Sequence, residues 1–528
     1  MKNRTILFKT LLCVFSLCII NACAFKKYEP KKKPNILFCV ADDATWNHMS
    51  AYGATFVNTP TFDAIAEQGL LFQNAYTPNA KCGPSRSIIL TGRNTWQLEE
   101  AANHLAYFPT TFKTYPETLS ENGYKVGFTG KGWAPGTSLN EEGKKRQLLV
   151  KPYNKIKKEA PTKGISKIDY AANFKLFLEE KKSDEPFCFW YGGHEPHRKY
   201  EYGSGVNIGK KKLSDLDSVF PYWPQTDVVK NDVLDYAFEL EYFDQQLGEI
   251  LKVLEEKGEL ENTIVVVTSD NGMPFPRVKG LSYEHSNHLP LAIMWKDGIK
   301  NPGRVIKDYV SFIDFAATFV DVARVKTEKL DMKPIQGKSL TSFFSSDKED
   351  LIASEKDYVL LGQERHDVGR PNDVGYPVRG IVKDGFMYLI NYENDRWPAG
   401  NPETGYTNTD GSPTKTEILN LNRAGKDQEY WNLNFGKHPK EELYQVSVDE
   451  SCMNNLAEKV AFQSIKKELK NILESELKKQ NDPRMFGNGA VFDNYTPDRN
   501  VNFYERYMRG EKVKSGWIND TDFEKKSK

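Results

Sequence analysis

Cysteine is scarce in this chain, seven among 528 residues, and no two are spaced as a CxxC pair. A disulfide framework and a thiolate zinc centre are thereby excluded. Neither sign of charge predominates, with Lys+Arg and Asp+Glu at 72 each. No broad basic face for a nucleic-acid backbone follows from such a balance, so nucleic acid is not an expected partner. Long hydrophobic runs are also missing: no segment approaches the roughly 18 apolar residues of a membrane span. What is present is a globular composition, 39% hydrophobic and 27% charged, which rules out disorder, coiled coil and collagen. No internal repeat is evident.

The first thirty residues read as an export signal: basic Lys2, Arg4 and Lys9, an apolar run from Leu11 to Ile20, then Asn21-Ala22-Cys23 before Lys26 and Lys27. Ile20-Asn21-Ala22-Cys23 resembles a bacterial lipobox, which makes Cys23 the expected lipidation site, with plain cleavage after Ala22 as the alternative. The expected product is exported and touches a membrane only through a lipid anchor, in the bacterial outer membrane or facing the periplasm. Of the remaining cysteines, Cys39 and Cys188 lie in apolar runs and read as core thiols. Cys82 lies in a polar turn, where an exposed free thiol would be a liability in an oxidising compartment.

From Asn35 to about residue 325, short β-rich runs alternate with helical patterns, as in βαβ units. Strands are expected at Ile36 to Ala41, Leu70 to Ala75, Lys125 to Thr129, Phe187 to Tyr191, Thr263 to Thr268 and Leu291 to Trp295. Helices are expected at Phe62 to Gln68, Pro116 to Asn122, Tyr170 to Lys181 and Val233 to Lys257. The fold class is α/β, a doubly wound, mostly parallel sheet. Lys144 to Lys167 and Tyr200 to Asp227 read as surface insertions of the kind that build a substrate cleft. Later strands at Tyr358 to Gly362, Gly380 to Val382 and Phe386 to Asn391, with few helices between them, and a helix from Leu456 to Lys479 point to a smaller C-terminal α+β domain. The expected division is 1–22 signal, 30–345 large α/β domain, 346–480 smaller domain and 481–528 extended tail.

Asp42-Asp43 follows the first expected strand and Asp270-Asn271 follows that at Thr263 to Thr268, so both pairs should emerge at carboxyl ends of parallel strands, where open α/β sheets bind ligands. Carboxylates gathered there repel one another unless a cation neutralises them. An all-oxygen set suits calcium, then magnesium, whereas zinc would call for His or Cys. Each pair taken alone could equally cap a turn. Pro84 can begin a helix, which sets Cys82 beside free amides that favour an anion.

Cys82-Gly83-Pro84-Ser85-Arg86 followed by Leu90-Thr91-Gly92 resembles the signature of the type I sulfatases. Thr268 to Pro276, Gly193-His194-Glu195-Pro196-His197-Arg198 and Tyr376-Pro377-Val378-Arg379 resemble segments of the branch that contains heparan N-sulfatase and bacterial polysaccharide sulfatases. The resemblance implies an alkaline-phosphatase-like fold. It further implies conversion of Cys82 to formylglycine by a maturation enzyme, and hydrolysis of sulfate from a sulfated polysaccharide or oligosaccharide: algal, such as ulvan or carrageenan, or a glycosaminoglycan. N-sulfoglucosamine is the alternative substrate, and an inactive glycan-binding surface lipoprotein the alternative of another class. A phosphoester hydrolase of the same fold would use a plain Ser or Thr nucleophile and extra His/Asp zinc ligands, which are not seen.

Residue by residue, the resemblance makes Asp42, Asp43, Cys82, Asp270 and Asn271 the calcium ligands. Arg86 would hold the hydrated aldehyde, Lys131 and Lys279 would contact sulfate oxygens, and His194 would protonate the leaving group. His197, His366 and Arg370 are the expected substrate contacts; Glu364, Arg365 and Arg379 belong to the same set, for which an interdomain ion network, His366 and Arg370 included, is the other role; His285 and His288 stand as candidates for the cleft rim. One position departs from the family: Lys131-Gly132-Trp133 carries Trp where many members have a His. His104, His197 or a metal-polarised hydroxyl are the candidate replacements, and Trp133 either walls the pocket, stacks on a sugar or packs in the core.

Overall fold

A seven-stranded sheet organises the chain, in the order β3-β4-β1-β5-β6-β2-β7. Its strands are β1 Asn35–Ala41, β2 Leu70–Tyr76, β3 Lys125–Gly130, β4 Phe187–Gly192, β5 Thr263–Ser269, β6 Leu291–Met294 and β7 Arg304–Ser311. Only β6 runs against the others; the remaining neighbours pair in parallel. The computed structural model describes residues 32–348, 357–514 and 516–523. The sheet lies within one compact unit, Pro34–Lys528. The export signal and Cys23 lie outside the described residues. Among the described residues no helix is long and apolar enough to cross a membrane.

Every residue of β1 is buried, and its side chains alternate between two cores: Ile36, Phe38 and Val40 in one, Leu37, Cys39 and Ala41 in the other. A strand buried on both faces is what a doubly wound sheet requires at its centre. One face is covered by α2 Cys82–Thr91, α3 Tyr115–Glu121 and α6 Asp314–Val322, the other by α1 Pro60–Glu67, α4 Tyr170–Glu179 and α5 Asp227–Glu256. Helix α5 is capped by the Thr226 hydroxyl, which accepts from the Val229 amide, and buries Val233, Leu240, Phe243, Leu247, Ile250 and Leu254 as one stripe.

A second, antiparallel sheet follows, β8 Tyr358–Gln363, β9 Val378–Lys383, β10 Phe386–Asn391 and β11 Glu441–Tyr444, paired in that order. Helix α8, Gln463–Lys479, buries Leu469, Leu473 and Leu477. Those residues share a core with Ile381 and Tyr388 of the second sheet and Ile36 of the first.

Three details depart from the sequence expectations. Strand β7 was not anticipated: it lies at the sheet edge, and alternate positions such as Val305 are exposed. Helices α7 Pro413–Arg423 and Gln428–Phe435 separate β10 from β11, where few helices were expected. Helix α8 starts seven residues later than expected because Asn455 Oδ1 accepts from the Leu443 and Ala457 amides, holding a turn before it.

Candidate active site

Four adjacent strands, β3, β4, β1 and β5, deliver the charged residues at their carboxyl ends. Ala41 pairs with Ser269 as the last register between β1 and β5, so Asp42-Asp43 and Asp270-Asn271 leave the sheet side by side. Lys131 follows β3 and His194 follows β4 one residue further on. Cys82 is the first residue of α2 and Arg86 lies four residues later, on the same face.

Ligand atoms of Asp42, Asp43, Cys82 and Asp270 all lie within 4.8 Å of one another, and all four residues are buried. The Cys82 thiol is 3.6 Å from Asp42 Oδ1 and from Asp43 Oδ1. Burial pushes this thiol up well above its ordinary range, the Lys131 charge only partly opposing it. The cysteine is therefore a neutral thiol and a weak nucleophile. Asp43 takes φ +80°, rare for a residue with a side chain. Its amide donates to Asp270 Oδ1 at 3.1 Å, and Asn271 Nδ2 donates to its Oδ1 at 2.6 Å.

Cations interleave these carboxylates. Lys131 Nζ lies 2.7 Å from both oxygens of Asp42, Lys279 Nζ lies 2.7 Å from Asp43 Oδ2 and 3.0 Å from Asp410, and Arg86 Nε lies 2.8 Å from Asp270 Oδ2. Burial works against the Asp42 charge, but Lys131, His197, Arg86 and Lys279 hold its carboxyl well below the usual range. Arg86 Nη1 donates to the carbonyls of Lys131 and Gly132, whereas Nη2 makes no hydrogen bond and lies 3.6 Å from Asp42.

The donor set fits a hard cation. Three carboxylates converge within 4.8 Å, about two calcium–oxygen bonds, and the adjacent Asn271 Oδ1 is buried without a hydrogen-bond partner. Asp42, Asp43, Asp270 and Asn271 would hold calcium, with the group at position 82 as a further ligand.

A cavity of about 500 Å³ opens over this cluster, its wall including Cys82, Lys131, His194, His197, Lys279 and Asp410. Burial holds the His194 imidazole down to about 4, against the pull of Asp42. His197 keeps Nδ1 on the Arg198 carbonyl at 2.6 Å, and its Nε2 lies 3.9 Å from Asp43. The insertion between Lys144 and Lys167 supplies Gly164 and Ser166 to the wall, and the C-terminal tail supplies Trp517.

Other predicted contacts lie elsewhere. His366 is wholly buried between the Gly280 carbonyl and the Asn79 side chain, at 2.9 and 2.6 Å. Arg370 donates to the carbonyls of Trp397 and Pro398, at 2.7 Å each. Neither lines the cavity: His366 ties its loop to those of Asn79 and Gly280, and Arg370 ties its own to Trp397 and Pro398. Arg379 pairs with Glu364 and Asp482, and Arg484 with Glu364, in a buried ion network. His285 stacks on Phe220 and His288 lies between Trp46 and Tyr76, both in the core rather than at the rim. Trp133 donates to Ser87 Oγ at 2.8 Å and packs edge-on against Phe108, so it lies against α2 and not on the cavity wall. Sequence reasoning missed Lys81, Asp367 and Asp410, whose only local signals are a lysine before the Cys82 motif and single aspartates in polar loops.

Residues 34–325 match the sulfatase family. The chain belongs to it. Within this sulfatase, residues 278–374 also match the family described as N-sulphoglucosamine sulphohydrolase, C-terminal. It is similar to human N-sulphoglucosamine sulphohydrolase, 27% identical over 87% of this chain and 92% of the relative. An ulvan-active sulfatase of Formosa agariphila is 25% identical over 89% of this chain and 81% of its own length. Among solved structures, a protein in complex with its substrate D-glucosamine-2-N,6-O-disulfate aligns with a TM-score of 0.58 at 22% identity, covering 85% of this chain and 99% of that one. The protein is a sulfuric ester hydrolase of α/β fold.

Proposed function

We propose that this sulfatase removes sulfate from a sulfated polysaccharide or oligosaccharide, with Cys82 matured to formylglycine by a dedicated enzyme and calcium held beside it. The observation that carries the reading is the convergence of Cys82 with the carboxylates of Asp42, Asp43 and Asp270, within 4.8 Å of one another, beneath a cavity that Asp42 and Cys82 line. Formylglycine supplies a hydrated aldehyde whose oxygen accepts the sulfuryl group, which divides a difficult hydrolysis into two easier steps. Calcium supplies positive charge against that oxygen.

The remaining chemistry belongs to side chains. Lys131 and Lys279 neutralise sulfate oxygens as negative charge shifts during transfer. Arg86 offers the hydrate its Nη2, which has no hydrogen-bond partner. His194 gives a proton to the departing oxygen or nitrogen; burial lowers its imidazole to about 4, and an anionic sulfate beside it raises its proton affinity. His197, on the cavity wall, contacts the substrate.

For substrate, relatives named for N-sulphoglucosamine and for ulvan support a glycan ester, glycosaminoglycan or algal. The match of residues 278–374 favours N-sulfoglucosamine as a second reading. The test is sulfate release by calcium-loaded protein, coexpressed with a formylglycine-generating enzyme, from ulvan, carrageenan and heparan fragments bearing either N- or O-sulfate. Release from none of them overturns the reading. The signal-like start and Cys23 support export with a lipid on Cys23; a mature N-terminus without acyl mass excludes the anchor.

A further inference from the structure

Three histidines line the cavity, His104, His194 and His197, and their hydrogen bonds differ. His104 alone of the three sets a ring nitrogen on a carboxylate within hydrogen-bond reach: Nδ1 lies 3.2 Å from Asp367 Oδ1. A carboxylate there fixes the proton on Nδ1 and leaves the Nε2 lone pair as the basic site. Asp367 is itself fixed, by Lys81 Nζ at 2.9 Å and by its own amide donating to Asn408 Oδ1 at 2.9 Å. Lys81 immediately precedes Cys82, so the dyad is tied to the residue beside the nucleophile.

The backbone holds His104 in place as well. Its amide donates to the Arg365 carbonyl at 2.9 Å, and Asn103 Oδ1 accepts from the Arg365 amide at 2.9 Å. The edge of Trp517 packs on the ring, 5.8 Å between centroids. His104 Cδ2, next to Nε2, lies 3.4 Å from where a Cβ on Gly83 would stand. The imidazole thus lies beside the first turn of α2. His197, by contrast, has Nδ1 on a carbonyl and Nε2 toward Asp43, and Trp133 does not reach the cavity.

We infer that His104, oriented by Asp367, is the base that releases sulfate from the enzyme, in the role left open by Trp133. The inference rests on the formylglycine mechanism proposed for Cys82. In the first half-reaction one hydrate hydroxyl forms the O–S bond, its proton passing to solvent, and the bond from sulfur to the sugar breaks, the sugar leaving with the His194 proton, which His194 then regains from solvent. In the second, His104 Nε2 takes the proton of the remaining hydroxyl, that O–H pair becomes the C=O bond, and the C–O bond to sulfate breaks. Sulfate leaves, water adds back across the aldehyde, and His104 returns its proton to solvent. His104 is the catalytic residue of this step and Asp367 its positioning residue.

The experiment compares wild type, His104→Gln and Asp367→Asn, each with its aldehyde verified by mass spectrometry, under rapid quench with whichever of the ulvan, carrageenan and heparan fragments releases sulfate fastest. His104→Gln should form one equivalent of desulfated sugar at near the wild-type rate and then stall. Its Cys82 peptide should carry a sulfo group, and sulfate should appear about a hundredfold more slowly. Asp367→Asn should show a milder form of the same block together with a changed tautomer in the ¹⁵N spectrum of His104. Should His104→Gln fail to fold, the sulfo-peptide in Asp367→Asn decides the matter. Equal slowing of sugar and sulfate release without a sulfated peptide, or unchanged rates, overturns the assignment. A wild type with no aldehyde and no release overturns the formylglycine reading itself, and the assignment with it.

Discussion

Lys131 Nζ bridges the two carboxylate oxygens of Asp42 at 2.7 Å each. Lys279 holds one oxygen of Asp43 at 2.7 Å and Arg86 one oxygen of Asp270 at 2.8 Å, so each carboxylate of the cluster has its own cation. A doubly charged ion among these carboxylates would relieve the lysines of that duty and leave their charge available to an anion in the cavity. Metal and sulfate binding should therefore reinforce one another.

Calcium should raise the melting temperature of chelator-treated protein, the shift growing with the logarithm of its concentration. Asp43→Asn and Asp270→Asn should abolish the calcium-dependent part. Differential scanning fluorimetry across a calcium series checks both. A shift that survives either substitution places the ion elsewhere.

Arg86→Met should destabilise the fold by about 3 to 5 kcal/mol, since it leaves the wholly buried Asp270 without its cation. Burial already raises the Asp270 carboxyl, with Arg86 the leading opposing charge. Urea unfolding gives the difference. Arg86→Lys should recover only part of it, because a lysine cannot also serve the Lys131 and Gly132 carbonyls.

Acid should weaken the protein through buried histidines. Burial holds His48 down to about 3, so above about pH 6.5 it is neutral folded or unfolded, and no stability hangs on it. As pH falls from 6.5 toward 3, the unfolded state takes up a proton that the folded state refuses, and stability drops by about 1.4 kcal/mol per pH unit for this group. Denaturant midpoints at pH 7 and pH 5 should differ less in His48→Gln than in wild type. An equal difference in both would remove His48 from the account.

Trp517 on the cavity wall is the tail's contribution to the site. Trp517→Ala should raise KM about tenfold, equivalent to ~1.4 kcal/mol of lost sugar contact, with kcat nearly unchanged. Steady-state kinetics separates the two constants, and a fall in kcat alone would assign Trp517 to holding His104 instead.

Strand-end chemistry was legible in the sequence: apolar runs such as Ile36 to Ala41 end on aspartates, and the parallel order then forces those aspartates together. Core thiols Cys39 and Cys188 were legible for the same reason. Partners from distant loops were not. Lys279 meets Asp410 across 131 residues, and nothing local in a Thr/Asn-rich turn marks Asp410 as a lysine's partner. His366 and Arg370 were over-read because a charged cluster looks alike whether it faces a ligand or satisfies buried carbonyls. Trp133 was readable only as a departure; its packing between Ser87 and Phe108 depends on the tertiary fold.

The most direct test of the formylglycine mechanism is sulfate release from a sulfated glycan panel by calcium-loaded protein whose Cys82 peptide has been weighed, run beside Cys82→Ala. The expected result is an aldehyde mass at position 82, release by the matured protein, and none by Cys82→Ala. Release that persists in Cys82→Ala would contradict it.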